Sequence, residues 1–176
     1  CPLDLAPTAS TTAALAMGDA LAIALLEARG FTEEDFARSH PGGRLGRRLL
    51  LLIDDVMRTG EAVPMVAPDT LLSEALLEVT RKGLGMTAIV DGERRLLGMV
   101  TDGDVRRTMD HGVNVHTTQV QDVMTGRAKT ASRGMLAAEA LQIMESAKIN
   151  GLMVVDESGH LIGALNMHDL LRAGVV

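Results

Sequence analysis

Aromatic side chains are almost missing from these 176 residues: there is no Trp, no Tyr and only two Phe, Phe31 and Phe36. Single-stranded nucleic acids are held largely by bases stacked on aromatic rings, so that mode of recognition is closed to the chain. A basic surface is missing too. Seventeen Lys and Arg against 23 Asp and Glu leave a net charge of −6 (17 − 23), which argues against a nucleic acid held through its phosphates. The lone cysteine, Cys1, excludes an internal disulfide and fits a reducing compartment, so a cytoplasmic location is expected. No metal is expected either. His168-Asp169 has the look of a metal-hydrolase pair, but His111, His116 and His160 do not supply the further spaced ligands such a site needs. Uninterrupted apolar runs are short, Ala20 to Leu26 and Leu49 to Ile53 being the densest, against the ~18 residues of a membrane span, so no membrane partner is expected. The opening Cys1-Pro2-Leu3-Asp4 lacks the basic and apolar regions of a signal peptide. It lacks an initiator Met as well, and reads as the start of a piece of a longer chain.

What is present is an ordinary globular balance, 47% hydrophobic and 23% charged, with room for one compact domain or two small ones. The eleven Met residues mostly occupy apolar positions and read as adaptable core filler. The most informative stretch is Gly98-Met99-Val100-Thr101-Asp102-Gly103-Asp104, which follows the apolar run Leu96 to Val100 and opens an apparent helix, Val105 to Met109. At such a junction the first helical N–H groups lack intrahelical partners and the helix dipole favours an anion. Thr101 offers a hydroxyl to a phosphate, and Asp104, one turn on, offers a carboxylate to the hydroxyls of a ribose. The same two residues also make a helix cap that binds nothing. Both readings stand at this point. Arg106 and Arg107, with Arg47 and Arg48, are candidate phosphate partners or plain solvated charges.

The stretch occurs twice. Displacing the chain on itself by 65 positions brings Gly98 onto Gly163, Asp104 onto Asp169, Glu74-Ala75-Leu76 onto Glu139-Ala140-Leu141 and Val90-Asp91 onto Val155-Asp156. Asp55-Val56-Met57 matches Asp122-Val123-Met124 at an offset of 67, so the second copy is two residues shorter near its first strand. Each copy reads strand, helix, strand, strand, helix: in the first, Val63 to Val66, Thr70 to Gly83, Met86 to Val90, Leu96 to Val100 and Asp102 to Met109. Leu72, Ala75, Leu76 and Val79 carry the helical period, repeated by Ala137, Ala140, Leu141 and Met144. Polar, Gly-containing connections, Asp91 to Arg95 and Asp156 to His160, join the paired strands. A single copy is too small for much of a core, so the two are expected to fold as one α/β (α+β) unit in which each completes the other's exposed sheet.

A tandem of ~55-residue units, each opened by Asp-Val-Met and closed by Gly-x-x-(Thr/Asn)-x-x-Asp, resembles the CBS-domain pair, or Bateman module. The resemblance covers Ile53 to Val176. It implies two clefts about a pseudo-twofold axis, with Thr101 at the phosphate position and Asp104 at the ribose position of one. The other cleft holds Asn166 and Asp169, and is expected to bind more weakly because Asn166 stands where the hydroxyl belongs.

Ahead of the repeats, Pro7 to Thr12 is a turn rich in capping hydroxyls, and a long helix follows from about Thr12 to Arg29, stopped by Gly30. Its wide apolar face, with Leu15, Ala16, Leu21, Ala22, Leu25 and Leu26, predicts packing against a sheet lying outside the chain. A short helix from Thr32 through Arg38 ends at Pro41-Gly42-Gly43. Leu5 to Ala22, followed by Phe36 to Gly43 and Leu45-Gly46-Arg47, is similar to the end of a sugar isomerase (SIS) domain. Together with the tandem repeats and the closing Met167 to Val176, the chain resembles the C-terminal half of bacterial D-arabinose 5-phosphate isomerases. The resemblance implies residues 1–45 as the SIS remnant, 46–52 as a linker, 53–112 as CBS repeat 1 and 113–176 as CBS repeat 2. Enzymes of that family interconvert ribulose 5-phosphate and arabinose 5-phosphate on the way to the Kdo of lipopolysaccharide.

In Ser39-His40-Pro41-Gly42-Gly43, His40 matches a family active-site residue supplied to a neighbouring subunit's pocket. A histidine suits an isomerase, since a group with pKa near ~6.5 both takes and gives a proton at neutral pH. The family's upstream lysine and two glutamates are absent, so no catalysis is expected of this piece alone. Two functions are therefore expected of the repeats. One is a regulatory module binding an adenine or cytidine nucleotide or a nucleotide sugar; the other is a structural module for self-association, a dimer that helps assemble a tetrameric parent.

Overall fold

The protein's structure, a computed structural model, describes residues 6–32, 35 and 50–175. His40, Arg47, Arg48, Phe36 and the turn at Pro41 lie outside the described residues. Helix α1, Ala9–Arg29, comes first. The first repeat then lays down β1 (Met65–Val66), α2 (Leu72–Lys82), β2 (Met86–Val90), β3 (Leu96–Thr101) and α3 (Asp102–Asp110). The second repeats the order as β4 (Thr130–Ser132), α4 (Ala137–Ala147), β5 (Gly151–Val155), β6 (Leu161–Asn166) and α5 (Met167–Arg172).

Each repeat folds into a small mixed sheet, β1-β2-β3 and β4-β5-β6, with the first pair parallel and the second antiparallel. The register shifts at Ile89/Val90 in one hairpin and at the matching Val154/Val155 in the other. Helix α2 buries Leu72, Ala75 and Val79, one stripe at helical spacing, and stops at Gly83, whose φ of +64° a residue with a Cβ rarely adopts. Helix α4 buries Ala137, Ala140, Leu141 and Met144 in the same way. The predicted helix from Thr70 starts two residues late, because the Thr70 carbonyl is taken by the Val120 amide and Leu71 pairs with Gln119. The strand predicted over Val63 to Val66 pairs only at Met65 and Val66, although Val63 is buried.

That late start reflects how the repeats are joined. Each repeat's opening segment leaves its own repeat and lies on the other. The Ile53 amide bonds to the Met135 carbonyl and the Leu51 carbonyl accepts from Ala137, so Ile53 is fully buried among Leu141, Met144, Leu152 and Leu170 of the second repeat. Reciprocally, the Leu72 amide bonds to Thr118, and Val120 is fully buried among Leu72, Ala75, Ile89 and Val100 of the first. Burying such side chains stabilises by about 1.5 to 3 kcal/mol each. Five residues beyond Ile53 and Val120, Arg58 pairs with Ala164 on the edge of β6 and Thr125 pairs with Met99 on the edge of β3. Room for this is made by glycine. A Cβ on Gly98 would meet Met124 Sδ at 2.7 Å and the Thr125 carbonyl at 2.9 Å, and one on Gly163 would meet Met57 Sδ at 2.5 Å and the Arg58 carbonyl at 3.0 Å. Between the sheets lies a shared core of Met86, Ala88, Val90 and Met99 with Met153, Leu161 and Ala164. The hairpin tips close it, the Leu96 amide donating to Gly159 and the Leu161 amide to Arg94. The expectation that each repeat completes the other's sheet holds.

Two features of helix α1 stand beside the expectation that its covering sheet lies outside the chain. No residue of it is buried; Leu15 is 70% and Met17 75% exposed, so it packs on none of the described elements. It is also long and apolar enough, at a mean hydropathy of 1.6, to cross a membrane by length and composition, which counting uninterrupted runs overlooked. The core helix of a soluble protein has the same length and composition.

Candidate functional site

At the end of β3 the chain turns into α3 through an extended Thr101, φ −118° and ψ 165°. The Thr101 hydroxyl accepts from the Asp104 amide at 3.3 Å and donates to Asp104 Oδ2 at 2.6 Å, while the Thr101 amide donates to the same oxygen at 2.8 Å. The other oxygen, Oδ1, accepts from the Thr125 hydroxyl at 3.2 Å and from the Arg107 guanidinium. Asp104 is 7% exposed. Burial pushes its pKa up, but the hydrogen bonds from Thr101 and Thr125 and the charge of Arg107 outweigh this and hold the carboxyl below its ordinary 3.8. Arg107 itself is open to solvent, its side chain 68% exposed, and Arg106 is exposed on the same helix. The predicted cap is therefore formed, and it contains both predicted ligand residues.

The second junction repeats the frame. The Asn166 amide donates to Asp169 Oδ2 at 3.2 Å, and the Asp169 amide to Asn166 Oδ1 at 3.0 Å. Here the partner of Asp169 Oδ1 is Arg58, at 3.3 Å, whose other guanidinium nitrogen donates to the Lys82 carbonyl at 2.7 Å. Sequence reading missed both Thr125 and Arg58. Their signal is positional: each directly follows an Asp-Val-Met, and each reaches the closing acid of the other repeat. His168 stands exposed in α5, as a helix-start residue, and no metal-binding cluster occurs among the described residues.

Two clefts lie away from the acids. One of about 200 Å³ runs beside the start of β3, between Leu96, Leu97, Gly98, Gly126, Ala128 and Val155. A wider one of about 640 Å³ lies at the far edge of the second sheet, against Ser132, Arg133, Asp156 and Ser158. Arg133 there binds Asp54, whose carboxyl is held below its usual range chiefly by the Gly134 amide.

Repeated mixed sheets with exchanged openings and a Gly-x-x-(Thr/Asn)-x-x-Asp close agree with a match of the CBS domain family to residues 53–111 and 120–176. The chain belongs to the CBS-domain family. Over its whole length it is 61% identical to the arabinose 5-phosphate isomerase KdsD of Pseudomonas aeruginosa and 58% identical to that of Escherichia coli K12, covering 54% and 53% of them. The chain thus spans about half the length of these curated relatives. Among solved structures, the CBS pair of protein MJ0100 in complex with 5′-methylthioadenosine and S-adenosyl-L-methionine superposes at a TM-score of 0.63, with 20% identity over 70% of this chain and 94% of that one. CBSX2 in complex with AMP superposes at 0.60, with 24% identity over 70% of this chain and 96% of that one. These two likenesses establish the CBS-pair fold.

Proposed function

We propose that the chain is the regulatory region of an arabinose 5-phosphate isomerase and that its first CBS junction holds one nucleotide or nucleotide sugar. The observation that carries this is Asp104, a buried carboxylate kept ionised at a strand-to-helix junction, with the Thr101 hydroxyl beside it and the exposed Arg107 at its mouth. Such a set matches a ribose hydroxyl for the acid and a phosphate for the hydroxyl and guanidinium. The complexes of the two structural neighbours with adenosine compounds support the ligand class. Residues 1–45 belong, on this reading, to the end of the SIS domain, and His40 is lent to the parent's catalytic pocket, where an imidazole shuttles protons between adjacent sugar carbons.

A purely structural, self-associating module is the second reading. It is favoured by the saturation of Asp104 with donors from its own chain, and by Leu77 and Met109, 71% and 62% exposed on α2 and α3. Calorimetric titration with adenine and cytidine nucleotides, including the cytidine-activated Kdo sugar, separates the two. Heat saturating at one ligand per chain supports regulation; silence at millimolar concentration leaves the structural module.

A further inference from the structure

We infer that the residue after each Asp-Val-Met, Thr125 and Arg58, selects which CBS junction can open to a ligand, leaving the first openable and the second tied shut. This rests on the reading of the Thr101 junction as the ligand site. The backbone frames of the two ties are alike. Thr125 and Met99 exchange amide-to-carbonyl bonds of 2.9 and 3.2 Å, and Arg58 and Ala164 exchange bonds of 2.8 and 3.1 Å. The difference lies in the side chains. Thr125 is exposed and gives Asp104 one neutral hydroxyl bond at 3.2 Å. Rotation about a single torsion withdraws that hydroxyl and frees Oδ1 for a ligand hydroxyl of the same donor chemistry. Arg107, the other partner of that oxygen, reaches the buried acid from a side chain that is itself 68% exposed, so it can turn to a phosphate without leaving the site.

Arg58 is half-buried and doubly committed. Its guanidinium bridges Asp169 Oδ1 and the carbonyl of Lys82, in the last turn of α2. That carbonyl carries part of the negative end of the α2 dipole, so the cation is favoured there independently of the aspartate. A ligand hydroxyl at Asp169 would have to dislodge a charge-assisted bond and strand a half-buried cation, both more costly than turning a threonine. Arg58 thereby ties the end of α2 in the first repeat to the start of α5 in the second. The first junction has no such strut. Opening it turns the side chains of Thr125 and Arg107, and of these Thr125 heads the segment Gly126 to Lys129 running into β4, so a ligand there acts on the link between repeats.

The test is amide hydrogen exchange of the whole chain by NMR, joined to AMP titration, on the wild type, Arg58→Thr and Thr125→Arg. Without ligand, the amides of Met99 and Thr125 are expected to exchange about tenfold faster than those of Arg58 and Ala164. Arg58→Thr should erase that difference. Equal protection in the wild type, or a difference that survives Arg58→Thr, overturns the inference whether or not AMP binds. With AMP as probe, Thr125→Arg should weaken binding at least ~tenfold and Arg58→Thr less than ~twofold. AMP bound equally by the wild type and Thr125→Arg overturns the gate while sparing the nucleotide reading. No AMP binding in the wild type counts against an adenine nucleotide, and the exchange rates still decide the gate.

Discussion

The two CBS repeats share a fold, a hairpin irregularity and a way of embracing each other, yet their closing acids live in different company. Asp104 is held by four donors, two of them from Thr101, whereas Asp169 accepts from the Asn166 amide and the Arg58 guanidinium. The lesson is that a repeated scaffold leaves single side chains to set the surroundings of each acid. Breaking the embrace should have the largest effect. Residues 53–110 alone lose Val120 from their core and keep an unfilled β3 edge, so no cooperative thermal transition is expected by circular dichroism. A sharp melt of this piece as a monomer would show that the exchange is dispensable.

Next in size, the acids themselves can be compared. Asp104→Ala strips four donors of their acceptor and should cost about 2 to 3 kcal/mol in urea unfolding, and Asp169→Ala about 1 to 2 kcal/mol. Asp104 also makes the comparison pH-dependent. Its folded pKa lies below 3.8, so its contribution is complete above that pH and is lost as the pH falls through the folded value. Asp104→Asn should therefore flatten the acid limb of the stability profile, and an unchanged limb would place the shift elsewhere. The smallest effect concerns Thr87, fully buried in β2 with its hydroxyl unpartnered, where the second repeat has Leu152 at the matching position. Removing an unsatisfied hydroxyl at constant shape is favourable, so Thr87→Val should stabilise by about 1 kcal/mol. A loss of stability would mean that the hydroxyl finds a partner in solution.

Local periodicity is what made much of this fold readable. The stripe Leu72, Ala75, Leu76, Val79 and the run Met86 to Val90 announce a helix and a strand, and the structure places both there. Thr101 and Asp104 were readable because a cap is a local device, three residues from donor to acceptor. That each repeat completes the other's sheet follows from its small size, but the segment that does so was not readable, since nothing within Asp55-Val56-Met57 states which sheet it joins. Nothing local therefore marks Arg58, though it meets Asp169, 111 positions away. Helix α1 shows the opposite limit: its apolar faces were visible, but the surface that covers them is not among the described residues.

The central claim, that the first junction of the CBS pair is the ligand site, is met most directly by calorimetric titration of AMP into the wild type, Thr101→Ala, Asp104→Ala and Asp169→Ala. One site per chain is predicted in the wild type. Affinity should fall about 10- to 100-fold on losing Thr101 or Asp104, the worth of a hydrogen bond to a charged group, and change little on losing Asp169. Equal losses at Asp104 and Asp169, or no heat from the wild type at millimolar AMP, would contradict the account.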